Sequence, residues 1–283
     1  MGMSSLEIGK RALAASKIGL DTTSSNIANV NNEGYSRRIV TQSETDPYRS
    51  SEGFIGTGVL VDKIRNYREE FFDKEIRSTK TRKSGFENDS KLLKRIEALL
   101  AEPSNLGLNE IVSNFLNSFE ELSQKPEDIS LRANLIQVAQ TLVDRFNLTA
   151  QQFDDLKAEI IQNISNNLTT ANRLLKEIAN LNNEVQKSIA HDGVGAQTYI
   201  DEREKKLEEL SKLFEINITQ GDFGTVNVFV NGMNIITGNV AVNLELKEKV
   251  DTTTGEKTLG LIVKGKNKEI NLSLIHISEP TRL

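Results

Sequence analysis

Residues 127–192 contain neither proline nor glycine, and this feature constrains the fold more than any other in the sequence. Over this stretch apolar residues recur at the three- and four-residue intervals of one helix face. A continuous helix of about 60 residues would be about 90 Å long and is stable only when packed along other long helices. The predicted fold class is therefore mainly α, an elongated bundle of long helices. The apolar stripe consists of Leu131, Leu135, Val138, Leu142, Phe146, Phe153, Leu156, Ile160, Ile164, Leu168, Leu175, Ile178, Leu181, Val185 and Ile189.

Three shorter patterns flank this stretch and predict further helices. Residues 66–101 show mostly helical apolar spacing, with a polar interruption at residues 78–85. The pattern predicts either one helix or two helices joined by a kink. Residues 108–122 are regularly amphipathic and end before Pro126, and residues 199–214 repeat the pattern after the long stretch. These segments supply the partners that the long helix needs.

The apolar pattern changes from helical to alternating towards the end of the chain. Residues 226–230 alternate apolar and polar side chains, and Asn231-Gly232 after them is a strong signal for a tight hairpin. Residues 216–272 therefore predict a small β region. Residues 273–283 do not continue this pattern, and we expect them to be a foreign tail.

A glycine-punctuated stretch, residues 39–61, lies nearer the N-terminus and predicts a loop or a small hairpin. Within it, Gly56-Thr57-Gly58 matches part of a phosphate-binding loop, but no third glycine follows at the spacing of a nucleotide fold. The stretch is therefore not assigned to nucleotide binding.

The N-terminal segment carries an apolar heptad followed by asparagines. The heptad residues recur every seven positions and form a seam that buries its apolar surface only against another helix. Gly34, after the asparagines, predicts that the helix ends in a sharp turn. The seam residues are Leu6, Leu13, Leu20 and Ile27.

This segment resembles the N-terminal region of the axial proteins of the bacterial flagellum, which are the rod, hook and hook-associated proteins. Their pattern is close to Ser-x-Asn-Ile-Ala-Asn-x-Asn-Thr-Pro-Gly-Tyr-Ser-Arg. Asn32-Glu33 replaces the usual Thr-Pro, so the turn loses the φ restriction of proline. The matching residues are Ser25, Asn26, Ile27, Ala28, Asn29, Asn31, Gly34, Tyr35, Ser36 and Arg37.

Three further strings narrow the resemblance to the hook-associated protein 1 family. Residues 56–65 are similar to the segment that leads into that family's first long helix, and residues 142–147 and 201–213 are similar to stretches of its helical region. A hook or rod protein remains an alternative, although those proteins follow the motif mainly with β structure. A secreted coiled-coil adhesin or enzyme with a flagellar-type export region is a second alternative.

The resemblance implies a structural subunit of the bacterial flagellum that forms the hook–filament junction by helix packing. Its implied partners are other copies of itself, neighbouring axial proteins (the hook protein and the second junction protein) and a flagellar export chaperone. The implied location is the extracellular flagellum, reached through the flagellum's own type III export apparatus. In the family a C-terminal helix pairs with the N-terminal one. That helix is missing here, so we expect an N-terminal fragment.

The resemblance also implies a domain order and a set of assembly residues. The expected domains are an N-terminal axial assembly segment (1–64), a long helical rod domain (65–215), the start of a β domain (216–272) and the tail (273–283). The residues expected to make assembly contacts lie on the seam and in the turn. They are Leu6, Leu13, Leu20, Asn26, Ile27, Ala28, Asn29, Gly34, Tyr35, Ser36 and Arg37.

Composition and charge argue against several classes of function. The chain has 40 acidic and 35 basic residues, a net charge of −5, and so lacks the electrostatic footprint of nucleic-acid binding. It has no cysteine and only two histidines, so the residues of the usual nucleophilic catalytic sites and metal sites are missing. We therefore expect no enzyme activity, no cofactor and no nucleic-acid partner. No apolar run is long enough to span a bilayer, so no membrane insertion is expected.

Overall fold

In a computed structural model, the chain is described over residues 5–32, 34–50, 53–100, 107–191, 195–250, 257–264 and 266–270. Its helices are α1 (Ser5–Ala28), α2 (Glu70–Leu100), α3 (Leu108–Gln124), α4 (Ile129–His191) and α5 (Ala196–Ser211). Its first four strands are β1 (Arg38–Glu44), β2 (Tyr48–Ser50), β3 (Gly53–Ile55) and β4 (Val59–Asn66). The later strands are β5 (Ile216–Gln220), β6 (Val226–Val230), β7 (Met233–Thr237), β8 (Val240–Ala241), β9 (Leu244–Val250), β10 (Lys257–Val263) and β11 (Lys266–Ile270). The predicted mainly α chain with a small β region after the helices is confirmed.

The stretch without proline or glycine forms one helix, α4, of 63 residues. Asp128 caps its start, because its Oδ1 accepts hydrogen bonds from the backbone N–H groups of Ser130 (2.8 Å) and Leu131 (3.3 Å). α2 is also unbroken. The polar stretch at residues 78–85, for which the sequence allowed either one helix or two kinked helices, therefore lies inside a single helix. α5 begins three residues before the predicted start, since Gly195 takes a left-handed conformation (φ 94°) and turns the chain directly into the helix.

Packing divides the chain into two compact units. Unit 1 consists of Met1–Thr81 with Ala171–Leu283, and unit 2 consists of Arg82–Thr170. α2 and α4 each contribute residues to both units. The grouping therefore joins segments that are distant in sequence. The domain order expected from the sequence stays a prediction.

The core of unit 1 lies where α4 and α5 meet a four-stranded antiparallel sheet of order β5-β6-β7-β8. β6 alternates buried and half-buried residues, as the period-two pattern predicts. The β6–β7 turn has Asn231 and Gly232 at positive φ (47° and 75°), the conformation of a type I′ hairpin. The fully buried side chains include Leu174, Leu175, Ile178, Val185, Leu207, Leu210, Val226, Val228, Ile235 and Ile236.

The glycine-punctuated stretch near the N-terminus contains more strand than the predicted loop or small hairpin. β1 and β4 pair antiparallel from Arg38 opposite Asn66 to Glu44 opposite Val59, with an irregularity between Thr41 and Gln42. β2 and β3 form a short hairpin between them. The sequence signal for β1 and β4 was weak, because more buried and more exposed residues do not alternate regularly along either strand. A two-stranded ribbon buries little area, so it does not require such alternation.

The described residues of unit 2 belong to α2, α3 and α4, apart from residue 107 and the short α3–α4 connection at residues 125–128. An ion pair between Arg95 and Glu159 links α2 to α4. Leu156, on α4, is among the buried side chains, but many of the larger apolar side chains of this unit remain exposed. Unit 2 therefore buries its helical stripes incompletely within one chain.

Several features predicted from the sequence lie outside the described residues. The expected tail, residues 273–283, falls there, as do residue 101 at the end of the first helical pattern and residues 271–272 at the end of the expected β region. None of the helices in the described residues combines the length and apolarity that crossing a membrane requires.

Candidate functional site

Helix α1 has two different faces, and one of them packs within unit 1. That face lies on the β1–β4 ribbon. Ala15 is buried, and a Cβ at Gly58 would lie 3.4 Å from the Ile8 Cγ2, so the ribbon approaches the helix closely at that glycine. The guanidinium of Arg11 also reaches the Thr57 carbonyl at 3.5 Å. The position of α1 on the ribbon is thus set by its small and amphipathic residues.

The opposite face of α1 carries the predicted seam. Leu6, Leu13, Leu20 and Ile27 are 81%, 75%, 69% and 69% exposed. Burying such side chains is worth roughly 1.5–3 kcal/mol each when complete, so this face forgoes a large stabilisation within a single chain. A helix already held by its other face presents these residues in a fixed row.

The turn that follows α1 is organised by the side chain of Asn26. Its Nδ2 donates to the Arg38 carbonyl and its Oδ1 accepts from the Arg38 backbone N–H, both at 2.8 Å. The Tyr35 hydroxyl donates to the same Oδ1 at 3.0 Å and lies 3.3 Å from the Ser25 hydroxyl. One amide therefore joins the end of α1 to the first residue of β1.

Two further residues shape this turn. Asn29 donates from its Nδ2 to the Ser25 carbonyl at 2.9 Å, and its own carbonyl accepts from the Asn32 backbone N–H at 2.9 Å. Gly34 has φ 94°, a conformation that L side chains rarely adopt. The chain can reverse direction at this point because position 34 is glycine.

The turn docks on α5 through Arg38 and Asp201. The Arg38 Nη2 donates to the Thr198 hydroxyl at 3.1 Å and lies 3.6 Å from the Asp201 Oδ2, while its guanidinium stacks over the Tyr35 ring at 5.1 Å. Asn66, at the end of β4, donates from its Nδ2 to the Asp201 Oδ1 at 2.7 Å. Asp201 thus contacts both strands of the β1–β4 ribbon, at the end where Arg38 lies opposite Asn66.

Burial controls the ionisation of this contact. It raises the pKa of Asp201, and the Ser36 hydrogen bonds and the Arg38 and Arg68 cations oppose that rise. Burial also raises the pKa of Glu204, which forms a 3.1 Å ion pair with Arg77 at the start of α2. The docking surface of α5 is therefore a partly desolvated layer of paired charges.

Two other asparagines of unit 1 repeat the arrangement of Asn26. Asn182, on α4, accepts from the Val226 backbone N–H at 3.1 Å and donates to its carbonyl at 2.8 Å; it also accepts from Arg203 at 2.9 Å. Asn172 makes the same reciprocal pair with Leu244 at 2.8 Å in each direction. In all three cases a helix-borne amide holds the first residue of a strand.

The structure brings together some of the predicted assembly residues and separates others. Asn26, Tyr35 and Ser36 meet at the docked turn, whereas the Ala28 and Arg37 side chains are exposed. The Arg37 carbonyl accepts from the Tyr67 backbone N–H at 2.7 Å, so its main chain is engaged. The seam residues form a separate surface on α1.

Sequence reasoning missed the partners of the turn, which are Arg38, Asn66, Thr198 and Asp201. Asp201 begins one of the strings that resembled the hook-associated family, but nothing in the string showed what it would contact. Long-range pairs between polar residues leave no periodic signal. In the described part of the chain, no group of three or more His, Cys, Asp or Glu side chains could hold a metal ion.

Two family models match the chain. The model of the flagellar hook-associated protein FlgK helical domain matches residues 93–276, and the model of the flagella basal body rod protein matches residues 6–35. The first match spans most of the helices and the later strands. The second spans α1 and the turn that docks on α5.

Curated relatives and a solved structure agree with these matches. Flagellar hook-associated protein 1 of Bacillus subtilis (strain 168) is 25% identical over 273 residues, which cover 94% of this chain and 51% of the relative. The protein of the same name from Salmonella typhimurium is 29% identical over 237 residues, 82% of this chain and 42% of the relative. This chain thus spans about half the length of these relatives, or less. The flagellar hook junction protein FlgK from Burkholderia pseudomallei shares the fold, with a TM-score of 0.53 and 20% identity over 70% of this chain and 35% of that chain.

Proposed function

The chain belongs to the flagellar hook-associated protein FlgK family, and on this premise we propose that it is a structural subunit of the bacterial flagellum at the junction between hook and filament. Its role is packing: α1 contributes a row of apolar side chains to helices of neighbouring axial subunits. No catalytic step is part of this role.

The observation that carries the proposal is the exposed seam on a helix whose other face is already packed. A fully amphipathic helix of a self-sufficient domain turns its apolar side inward. α1 instead rests on the β1–β4 ribbon through Ala15 and its neighbours and leaves Leu6, Leu13, Leu20 and Ile27 outward. Exposed apolar rows of this kind mark surfaces that associate.

The docked turn gives this seam a fixed direction. The Asn26 amide ties the end of α1 to β1, and Arg38 and Asp201 tie β1 to α5. Subunits that pack side by side need their contact helices in one orientation, since each misaligned helix would lose several apolar contacts at once. We therefore propose that the direction of the seam is set by the residues of the docked turn, which are Asn26, Asn29, Gly34, Tyr35 and Ser36.

The remaining features of the proposal follow from the family. The partners are further copies of this chain, the hook protein and second junction protein beside it, and a flagellar export chaperone. The location is the extracellular hook–filament junction, reached by type III export. The proposed domain order is an assembly segment (1–64), a helical rod domain (65–215) and the start of a β domain (216–272).

The proposal is tested by placing charge on the seam. Leu13→Glu with Leu20→Glu should abolish filament growth in cells whose only copy of the protein carries both changes, while thermal unfolding of the purified chain stays unchanged. Ala14→Glu is the matched control, since residue 14 is exposed and lies about 100° around the helix from the seam. Normal filaments in the double variant would contradict the proposal. The variant should accumulate in the medium, which separates failed assembly from failed export.

A further inference from the structure

Three carboxylates lie close together where the β1–β4 ribbon leads into α2. Asp73 is in the first turn of α2, and Asp201 and Glu204 lie three residues apart on α5. The side chains of Asp201 and Glu204 are only 10% and 13% exposed. Two buried carboxylates one turn apart repel each other and have lost most of their hydration, so cations must compensate them.

Arg68, in the connection between β4 and α2, is the cation that these three carboxylates share. Its Nε and Nη2 donate to the Asp73 Oδ2 and Oδ1 at 3.1 and 3.3 Å, and its Nη1 lies 4.0 Å from the Asp201 Oδ1. Its charge also opposes the rise that burial causes in the pKa of Glu204. The Arg68 side chain is 21% exposed, so water screens these interactions only weakly.

Other charged side chains surround the two carboxylates of α5, but they are less widely shared. Arg38 opposes the pKa rise of Asp201, whereas Arg77 and Arg203 oppose that of Glu204. Arg68 opposes both. The titratable groups around the pair include Arg38 on β1, Tyr35 in the turn, Arg68, Asp73 and Arg77 at the start of α2, and Glu202, Arg203 and Lys205 on α5.

The place of Arg68 in the chain gives its charge a structural consequence. Asn66, two residues earlier, ends β4 and donates to Asp201, and the Tyr67 backbone N–H donates to the Arg37 carbonyl. The end of the ribbon and the start of α2 are therefore fastened to the same part of α5. Because α1 rests on the ribbon, the direction of its seam depends on how the ribbon lies on α5.

We propose that Arg68 is a positioning residue for assembly: as the cation shared by Asp73, Asp201 and Glu204, it holds the β1–β4 ribbon on α5 and so sets the direction of the α1 seam. This inference rests on the proposed function of that seam. Arg68 acts through the carboxylates of α5 rather than by touching a neighbouring subunit. Without its charge the two ionised carboxylates repel each other, and the ribbon loses its fixed place while the helices stay folded.

The pH dependence of stability separates this role from simple packing. Arg68→Gln removes the cation and should lower the melting temperature by at least about 5 °C at about pH 7. It also raises the pKa of Asp201 and Glu204 further in the folded chain. The loss should therefore fall to less than about half at about pH 4, where both carboxyls are largely protonated.

Two further variants control this measurement. Arg68→Lys keeps the charge and should restore the pH profile, although it loses the paired hydrogen bonds to Asp73. Arg65→Gln removes an exposed arginine of β4 and should change the melting temperature little at every pH. A loss in Arg68→Gln that is the same at every pH would overturn the inference.

Spin-label distances test the positioning itself, in a chain that has no cysteine of its own. Labels at Lys17→Cys on α1 and Asn180→Cys on α4 report how α1 lies relative to the core of unit 1, and both positions are exposed. At neutral pH, Arg68→Gln should broaden this distance distribution, and Arg68→Lys should not. Labels at Lys17→Cys and Lys63→Cys, which join α1 to the ribbon, should keep their distribution in both variants.

The outcomes separate this inference from the proposed function. An unchanged α1–α4 distribution in Arg68→Gln would overturn the inference. Broadening of the α1–ribbon distribution as well would also overturn it, because α1 would then have left the ribbon rather than moved with it. Loss of filaments in the seam variants would in either case still support the proposed function.

Discussion

The two parts of α4 have the same apolar spacing but differ in how far that stripe is buried. In the part that belongs to unit 1, residues 171–191, Leu174, Leu175 and Ile178 are at most 1% exposed. In the part that belongs to unit 2, residues 129–170, Ile129 and Ile136 are 80% and 70% exposed. A stripe in the sequence therefore establishes a helix but does not establish that the stripe has a partner in the same chain.

The difference comes from what covers each part of α4. In unit 1, α5 and the β5–β8 sheet are available to α4, and Asn182 and Asn172 fasten strand residues to it. In unit 2, only other helices of the chain are available in the described residues. We infer that residues 129–170 of α4 and the seam of α1 present apolar surface that the described residues leave uncovered, whereas residues 171–191 of α4 belong to the core of unit 1.

Shortening one apolar side chain on each part of α4 should produce the largest difference in stability. Leu175→Ala should lower the free energy of unfolding by about 3 kcal/mol, because it leaves a cavity in a closely packed core. Ile136→Ala, on the same helix, should cost less than about 1 kcal/mol, since most of its side chain is already in water. Denaturant unfolding of the two variants measures both values. Equal losses would mean that unit 2 buries Ile136 after all.

Removing a buried amide should have an intermediate effect. Asn182→Ala should cost about 2–3 kcal/mol, because the backbone groups of Val226 and the guanidinium of Arg203 lose a buried partner. Asn166→Ala, on the exposed part of α4, removes only a surface hydrogen bond with Gln162 and should change stability by a few tenths of a kcal/mol. Thermal unfolding distinguishes the two. A mild effect at Asn182 would show that water replaces the amide and that the strand is not held by it.

The contributions of two carboxylates to stability should change with pH in opposite directions, and these effects should be smaller than those of the substitutions above. Burial raises the pKa of Asp201 in the folded chain, so its contribution to stability is present below its ordinary pKa and is lost as pH rises through the raised value. The hydrogen bond from Arg95 lowers the pKa of Glu159, so its contribution is present above its ordinary pKa and is lost as pH falls through the lowered value.

Melting temperatures of the unchanged chain, Asp201→Asn and Glu159→Gln at a series of pH values test this contrast. On acidification the unchanged chain should gain stability relative to Asp201→Asn and lose it relative to Glu159→Gln. A loss relative to both would show that Arg38 and Arg68 outweigh burial at Asp201.

The sequence predicted the elements whose signal is local or periodic. The absence of proline and glycine predicted α4, and Asn231-Gly232 predicted the β6–β7 hairpin with both residues at positive φ. The heptad of α1 identified a row of residues that the structure places in water. Each of these depends on spacing within one segment.

The sequence did not show which segments meet. Asn26 was in the recognised motif, but its partner Arg38 lies just beyond that motif, and the docking of Arg38 on Asp201 joins residues far apart in the chain. Contacts of this kind depend on tertiary packing and leave no pattern in either segment. The conformation of Phe223, which has a positive φ of 52°, was equally hidden, because no turn preference assigns phenylalanine to a positive φ.

Hydrogen exchange along α4 in the dilute, isolated chain tests the central claim most directly. We predict strong protection of residues 171–185, where side chains are buried, and exchange at least about a hundredfold faster over residues 129–150, where local opening needs less free energy. Comparable protection along the whole helix would contradict the account, because residues 129–150 would then be as firmly packed within the single chain as residues 171–185.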